Sequence, residues 1–298
     1  MDGGKQAPGF YRYKVGSLDV TVVTDGANVT PLPENYVINA HKDEVAAALG
    51  AAYLEQDKLT IPYSPIVVTT GSKLVLIDTG TGEANLPRSK GTAGQLQLNL
   101  AAAGIDRGQI TTVIISHFHR DHVNGLLTAD NKPAFPEAEI LVPQVEWAFW
   151  MNDADMGRAS HGRMQDLFAN NRRVFDALGR KVTPYEWDNE VVAGITAIGT
   201  PGHTVGHTSF LIASRGEQVY VQSDVTNVPY LFARNPGWHG AFDQDPEMAE
   251  QTRRKVYDML SAEKLLVQGF HFPFPGLGHV EKDGNAYRVI PAPWTPFV

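Results

Sequence analysis

The chain contains no cysteine among its 298 residues. This absence excludes disulfide bonds, thiolate metal ligands and cysteine nucleophiles. It leaves the cellular compartment open, because a chain without thiols is stable in either redox environment. The ligands and catalytic groups of this protein must therefore come from other side chains.

Long apolar runs are also missing. No window approaches 18 uninterrupted apolar residues, and residues 1–6 lack the apolar core of a signal peptide. We therefore expect no membrane partner. We expect a cytoplasmic protein, or a periplasmic or secreted one if a signal peptide has been removed.

Positive charge is scarce. The formal net charge is −8, the pI is about 5.7, and the longest basic run is Arg253-Arg254-Lys255. An acidic surface repels phosphate backbones, so nucleic acid is not the expected partner. Neutral or cationic small molecules fit the composition better.

The order of the predicted elements indicates the fold class. Hydrophobic residues make up 43% of the chain, which is enough for a substantial core. Each half begins with strand pairs and closes with helix and strand, which favours an α/β protein with a four-layered αββα sandwich. We predict one domain over residues 1–298, with residues 28–65 as an N-terminal arm that contains a helix at Asp43–Leu54.

Several predicted strands lead into polar residues. A hairpin is predicted from Ile66–Thr70 and Lys73–Asp78, and a short buried strand at Thr112–Ile115. A single strand is predicted at Val191–Ile198. The last predicted strand, Lys264–Gln268, ends at Gly269-Phe270-His271.

The pattern H-x-H-x-D-H follows the strand at 112–115. In an extended segment alternate residues face the same way, so His117 and His119 can reach one ion. As the chain turns, Asp121 and His122 point to a second position nearby. Imidazole and carboxylate ligands suit zinc and similar divalent metals.

Four residues cannot complete two ions, so further ligands are expected at other strand ends. Three candidates stand at such places: His203 after Gly202, Asp224 after an apolar strand, and His271. Taken singly, Asp224 could be a helix cap and His271 a surface histidine. As an ordered set they predict a closed site for two ions, with Asp224 placed to bridge them.

With these residues in place, the chain resembles the metallo-β-lactamase-fold hydrolases. The matching elements are Ile77-Asp78-Thr79-Gly80, the H-x-H-x-D-H run, Gly202-His203, Asp224 and His271. The resemblance implies one ion held by His117, His119 and His203. It implies a second held by Asp121, His122 and His271, with Asp224 bridging.

Within this superfamily the sequence is similar to the methyl parathion hydrolase and lactonase branch. The similarity lies in residues 7–12, 71–80 and 272–279. Two positions depart from the family pattern. Asn124 stands where glycine is usual, which concerns the local turn and not the ligands. Asn227 stands where many acyl-homoserine-lactone lactonases carry a tyrosine, which disfavours a signalling lactone as substrate.

Other residues are interpreted as supports or as pocket walls. Asp78 and His207 are expected to orient ligands from behind, and His279 to be supportive or structural. Aromatic residues after two ligand segments are either core or an apolar substrate pocket. They are Trp147, Phe149, Trp150, Phe232 and Trp238.

The predicted chemistry is hydrolysis. Two ions lower the pKa of a shared water, and the resulting hydroxide would attack a lactone or ester, with phosphotriesters as side substrates. Asp121 and Asp224 would orient this hydroxide, and Asp121 could carry its proton to the leaving group. The enzymatic alternatives are a thioesterase of the glyoxalase II type, for which the sequence shows no basic patch, and a β-lactamase. A non-catalytic or redox metal protein of this fold is the alternative from another class. The resemblance implies a homodimer.

Overall fold

The structure, a computed structural model, describes residues 7, 9–159 and 162–298. Residues 1–6 and Pro8, which include part of the N-terminal stretch that resembles the family, lie outside the described residues. So does His161.

Two seven-stranded sheets form the middle of the molecule. In the order of hydrogen bonding, the first contains β1 (Phe10–Val15), β2 (Leu18–Val23), β5 (Ile66–Thr70), β6 (Lys73–Ile77), β7 (Thr112–Ile114), β8 (Glu139–Pro143) and β9 (Thr183–Tyr185). The second contains β10 (Glu190–Val192), β11 (Ile195–Gly199), β12 (Thr208–Ser214), β13 (Glu217–Ser223), β14 (Leu266–Gly269), β15 (Leu277–Asp283) and β16 (Ala286–Pro291). A small separate pair is formed by β3 (Gly26–Pro31) and β4 (Lys58–Tyr63).

The helices cover the outer faces. They are α1 (Lys42–Ala51), α2 (Asn85–Arg88), α3 (Leu96–Ala102), α4 (Arg120–Val123), α5 (Gln144–Trp150), α6 (Asp153–Arg158), α7 (Arg163–Ala177), α8 (Pro229–Phe232) and α9 (Pro246–Glu263). Short 3₁₀ turns span Arg107–Gln109 and Asn124–Leu126. None of the helices in the described part of the chain is long and apolar enough to cross a membrane.

Strand alternation explains the layers. In β5, Ile66 and Val68 point into the core between the sheets, whereas Val67 points outward. The outward face of the first sheet packs on helices through side chains such as Phe168 and Phe175. The outer face of the second sheet packs on Tyr257 and other residues of α9. The predicted αββα sandwich is confirmed.

The arm is more regular than the sequence indicated. Residues 28–65 hold α1 between β3 and β4, and β3 begins two residues earlier. Apolar side chains of this segment, such as Leu49, pack against Val228 and Phe232. The arm therefore lies on the segment that follows β13. Its description as an arm of a single domain stays a prediction.

One strand prediction was wrong, and two strands of the second sheet were not predicted. The predicted strand Val191–Ile198 is a hairpin, because Gly194 turns the chain with a positive φ of 82° between β10 and β11. The strands β15 and β16 were not predicted. They lie at the sheet edge after a segment rich in proline and glycine, which favours a loop assignment.

The turn after α4 tolerates one departure from the family pattern. Asn124 has φ −67° and ψ −28°, a right-handed conformation open to any residue. Gly125 is required instead, because a Cβ there would lie 1.8 Å from the carbonyl oxygen of Thr79. Glycine is therefore required at position 125 and not at position 124.

We expect Gly125→Ala to lower the free energy of unfolding by about 1–3 kcal/mol, since the Thr79 backbone must move to admit the methyl group. Urea unfolding of the metal-loaded protein measures the change. The matched control is Gly157→Ala on α6, where an added Cβ would meet nothing within 4 Å. The control should be neutral or stabilising by up to about 1 kcal/mol, and equal losses for both variants would contradict the argument.

Candidate metal centre

The polar strand ends of both sheets meet at one edge. His117 lies three residues after the end of β7, and His119 is the N-cap of α4, with extended φ −72° and ψ 156°. Asp121 and His122 then lie on α4 itself. The chain therefore bends within the histidine run, as the spacing predicted, and presents its residues in two directions.

Three histidine rings converge on the first position. His117 Nε2 lies 3.1 Å from His119 Nδ1, which lies 2.8 Å from His203 Nε2. His203 reaches this place from the loop between β11 and β12, and all three rings are buried. Three buried ring nitrogens that converge on one another suit a cation, because their lone pairs can share it.

Asp121, His122 and His271 converge on the second position. The Oδ2 atom of Asp121 lies 3.5 Å from His271 Nε2 and 3.8 Å from His122 Nε2. His271 enters directly after β14, whereas the other two come from α4. Within this group, as within the first, one ligand atom of each residue lies within 4.8 Å of the others.

Asp224 lies between the two positions. It follows β13 directly, and its preceding residue Ser223 has the left-handed φ of 49°. Its Oδ2 lies 2.9 Å from His271 Nε2 and 3.3 Å from His203 Nε2, and its Oδ1 lies 3.4 Å from His122 Nε2. The carboxylate thus faces both groups.

The donor set fits two divalent ions. Among the described residues, His122 Nε2 and Asp224 Oδ1 are buried without a hydrogen-bond partner. A buried polar atom without a partner is costly, and a coordinated cation would satisfy both atoms. Imidazole and carboxylate donors without thiolates are ligands that zinc accepts.

The second ring nitrogens are fixed by groups from distant segments. His122 Nδ1 donates to Asp78 Oδ2 at 2.8 Å, which is the role predicted for Asp78. His203 Nδ1 donates to Asp243 Oδ1 at 2.8 Å. His271 Nδ1 donates to the carbonyl of Pro62 on β4, also at 2.8 Å. Such partners set the tautomer and the orientation of a metal-binding ring.

His207 supports the centre without facing it. Its Nε2 accepts the backbone N–H of Asp224 at 3.0 Å, and its Nδ1 lies 3.1 Å from the carbonyl of Thr200. Burial, reinforced by the charge of His203, lowers the pKa of His207 to about 3, so the ring is neutral. His279 is exposed and contacts the carbonyl of Leu265. It lies on β15, outside the centre.

Protons compete with metal at this site. Burial lowers the pKa of His117 and His119 well below the usual range. For His203 burial is outweighed by Asp224 and Asp243, which raise its pKa to about 9. For His122 burial is likewise outweighed, chiefly by Asp78 and Asp224, and its pKa is raised. Metal binding near neutral pH therefore displaces a proton from His203.

A cavity of about 390 Å³ opens over the cluster. Its walls include Tyr36, Tyr63, Asn227 and Phe242, together with the ligand groups of His119, Asp121 and Asp224. The hydroxyl of Tyr36 donates to Asn227 Oδ1 at 3.0 Å. Tyr36 and Tyr63 belong to the arm, so the arm closes one side of the cavity. Neither tyrosine was singled out from the sequence.

The five aromatic residues, interpreted from the sequence as either core or pocket wall, do not line this cavity. Trp150 and Phe232 are fully buried in the core. Trp147 packs against the core beneath α5, and Trp238 packs against the arm cluster. Phe149 lines a different surface cavity. The apolar side of α5 faces the first sheet, which places Trp147 and Trp150 away from the strand ends.

Glu146 is a support that the sequence did not reveal. This fully buried carboxylate accepts the backbone N–H of Phe118 at 2.9 Å and that of Gly206 at 2.7 Å. It also accepts the indole N–H of Trp150 at 2.7 Å. It thereby ties the histidine run to the loop that carries His203. Asp243 was missed for the same reason, since neither residue stands in a local motif.

A comparison with protein-family models agrees with the fold and the metal centre described above. The model described as "Metallo-beta-lactamase superfamily" matches residues 61–263. This span contains every proposed ligand except His271.

Curated relatives are distant in sequence. The chain is 25% identical over 193 residues to the N-acyl homoserine lactonase AiiA of Bacillus thuringiensis subsp. kurstaki, covering 64% of each protein. It is 28% identical over 151 residues to the atrochrysone carboxyl ACP thioesterase of Passalora fulva, covering 51% of this chain and 34% of that one. The chain thus spans about a third to two thirds of the length of these relatives.

Solved structures are similar over nearly the whole chain. AidC, a dizinc quorum-quenching lactonase in complex with a product, superposes with a TM-score of 0.88 at 25% identity, covering 96% of this chain and 98% of that one. The hydrolase AbOPH superposes with the same TM-score and identity, covering 98% and 100%.

We expect Asp224→Ala and His119→Ala to lower the amount of bound metal. The first substitution removes the group that faces both positions, and the second removes one ring from the first position. Metal analysis after dialysis measures the content per chain. The control is His279→Ala, which should retain the wild-type content. Full retention of two ions by Asp224→Ala would contradict the bridging position.

Proposed function

The chain belongs to the metallo-β-lactamase superfamily, and on that premise we propose that it is a di-metal hydrolase that opens a lactone or cleaves an ester of a small molecule. The observation that carries the proposal is the pair of ligand groups on either side of Asp224, at the floor of an open cavity. In the proposed site His117, His119 and His203 hold one ion. Asp121, His122 and His271 hold the other, and Asp224 contacts both.

When bound, two such ions, for which zinc is the expected metal, would supply a water of lowered pKa and polarise the substrate oxygen. The protein's own groups then determine what reacts. No serine, cysteine or other protein nucleophile is needed. The similarity to lactonases supports a carbonyl centre as the site of attack.

Asp121 is the proposed proton carrier. Its side chain is 24% exposed, whereas that of Asp224 is 2% exposed, and it lines the cavity. A carboxylate in this position can take a proton from the attacking water and deliver it to the leaving oxygen. Asp224 is held too rigidly, by His271, His203 and the backbone contact to His207, to move between partners.

Asn227 is proposed to orient the substrate carbonyl through its amide N–H, and Tyr36 to hold that amide in place. Both residues are buried and line the cavity, and the Tyr36 hydroxyl donates to Asn227 Oδ1, which leaves the amide N–H of Asn227 free to donate. The position three residues after Asp224 thus carries an amide here, and the phenol enters from the arm. Apolar side chains of Ile61, Leu167 and Phe242 border the same cavity and suit an aliphatic or aromatic substrate part.

The direct test is turnover by purified protein of known metal content. The panel contains lactones of several chain lengths, aryl esters, phosphotriesters and a chromogenic β-lactam. We expect lactones or esters to be hydrolysed, chelation to abolish the activity, and added zinc to restore it. A protein that binds two ions and hydrolyses no lactone or ester would contradict the proposal, and turnover of the β-lactam alone would favour the β-lactamase alternative.

The orienting role makes a separate prediction. We expect Tyr36→Phe to lower kcat for the best lactone or ester by about tenfold, because the Asn227 amide loses the partner that holds its N–H in position toward the substrate. Metal content should not change. The matched control is Tyr230→Phe, since Tyr230 lies in another cavity. If both variants keep wild-type kcat, Tyr36 is only a wall residue.

The homodimer stays a prediction that light scattering can test.

A further inference from the structure

A second, larger cavity adjoins the metal cavity. It has a volume of about 720 Å³, and its walls include Arg88, Arg120 and Arg173. Tyr63, Arg120 and Asp121 line both cavities, so the two are neighbours along one continuous surface. We call the second cavity the arginine groove.

Three separate segments bring the arginines together. Arg88 ends α2, Arg120 begins α4, and Arg173 lies on α7, which packs against α4. Burial, together with the positive charges of Arg120 and Arg88, lowers the pKa of Arg173. The guanidinium group of Arg173 is therefore close enough to those of Arg120 and Arg88 to be repelled by both.

The partners of these arginines are neutral. Arg173 donates to the side-chain oxygens of Asn131 at 2.9 Å and of Asn170 at 3.2 Å. Arg120 donates to the backbone carbonyl of Asp166 at 3.2 Å. These contacts orient two guanidinium groups without neutralising their charge.

Acidic partners are present elsewhere. Within residues 9–159 and 162–298, no carboxylate lies within 4.0 Å of a nitrogen atom of Arg88, Arg120 or Arg173. In contrast, the nearby Arg107 and Arg172 pair with Glu83 and Asp153. The three arginines of the groove therefore lack a carboxylate partner within this distance, in a chain whose formal net charge is −8.

We infer that the arginine groove binds an anionic group of the substrate, a carboxylate or a phosphate, while the bond to be cleaved lies over the metal centre. The inference rests on the proposed function and narrows its substrate class. Guanidinium groups match the geometry of carboxylate and phosphate oxygens, and a local positive field attracts such anions.

This substrate class differs from the one that composition favoured. The scarcity of basic runs indicated neutral or cationic substrates and disfavoured a thioesterase for an anionic thioester. The basic patch exists, but the fold assembles it from positions 88, 120 and 173. An ester, lactone or thioester with a distant anionic group would contact both cavities.

The first test compares charged and neutral substrates. The probes are the mono-4-nitrophenyl esters of succinate, adipate and suberate, each set against the neutral 4-nitrophenyl ester of equal chain length. We expect the metal-loaded enzyme to show a higher kcat/KM for at least one monoester than for its neutral counterpart. Arg88→Gln should reduce this preference by about fivefold, mainly through KM, as expected for a partly exposed ion pair.

Arg88 suits this test because it is exposed and its guanidinium makes no hydrogen bond to the described residues. The charge-matched control is Arg158→Gln, since Arg158 is exposed on α6 and pairs with Asp155. The control should keep the wild-type preference. A preference for the neutral ester at every chain length, or one that Arg88→Gln does not change, would overturn the inference.

The second test does not need turnover. Calorimetric titration of the metal-loaded protein with adipate and with inorganic phosphate measures binding and distinguishes the two kinds of anion. We expect Arg88→Gln to weaken the better ligand by about fivefold. Equal affinity in wild type and variant would mean that the anion binds at the metals alone, which overturns the inference.

If no ester is hydrolysed, the titration still tests the groove. If only neutral esters are hydrolysed, the proposed function stands and the groove fails.

Discussion

The Asp224 carboxylate is almost completely buried, with imidazoles on both sides and one oxygen without a hydrogen-bond partner. A buried carboxylate is costly unless opposite charge compensates it. His271, His122 and His203 lower its pKa well below the usual range, even though burial opposes this. The arrangement calls for cations at both ends of the carboxylate, and the ligand groups on each side are placed to hold them.

The fold serves this requirement by bringing strand ends of two sheets to one edge. The first sheet contributes the histidine run, and the second contributes Asp224 and His271. Groups from outside these strands then fix the rings. Asp243 comes from the loop before α9, and the carbonyl of Pro62 comes from the arm. The arm therefore has two functions at the centre, since it orients His271 and also supplies Tyr36 and Tyr63 to the cavity.

Local motifs made much of this site predictable from the sequence. The H-x-H-x-D-H run, Asp78 and the strand-end residues His203, Asp224 and His271 stand in short patterns, and the structure brings them together. The order of strand pairs and helices along the chain also predicted the layered sandwich. Asp243, Glu146 and Tyr36 have no local pattern, because their roles depend on contacts between residues distant in sequence. The arginine groove was not predicted either, because its three arginines are distant in sequence. The spacing of the aromatic residues after the histidine run fits both a pocket wall and a core face, so the sequence could not decide between the two. In the structure Trp147 and Trp150 pack in the core.

The central claim is that two ions lie on either side of Asp224. Anomalous diffraction from crystals of the zinc-loaded protein, recorded at the zinc edge, tests it most directly. The account predicts two peaks, one among His117, His119 and His203 and one among Asp121, His122 and His271, with Asp224 in contact with both. A single peak, or peaks away from Asp224, would contradict it.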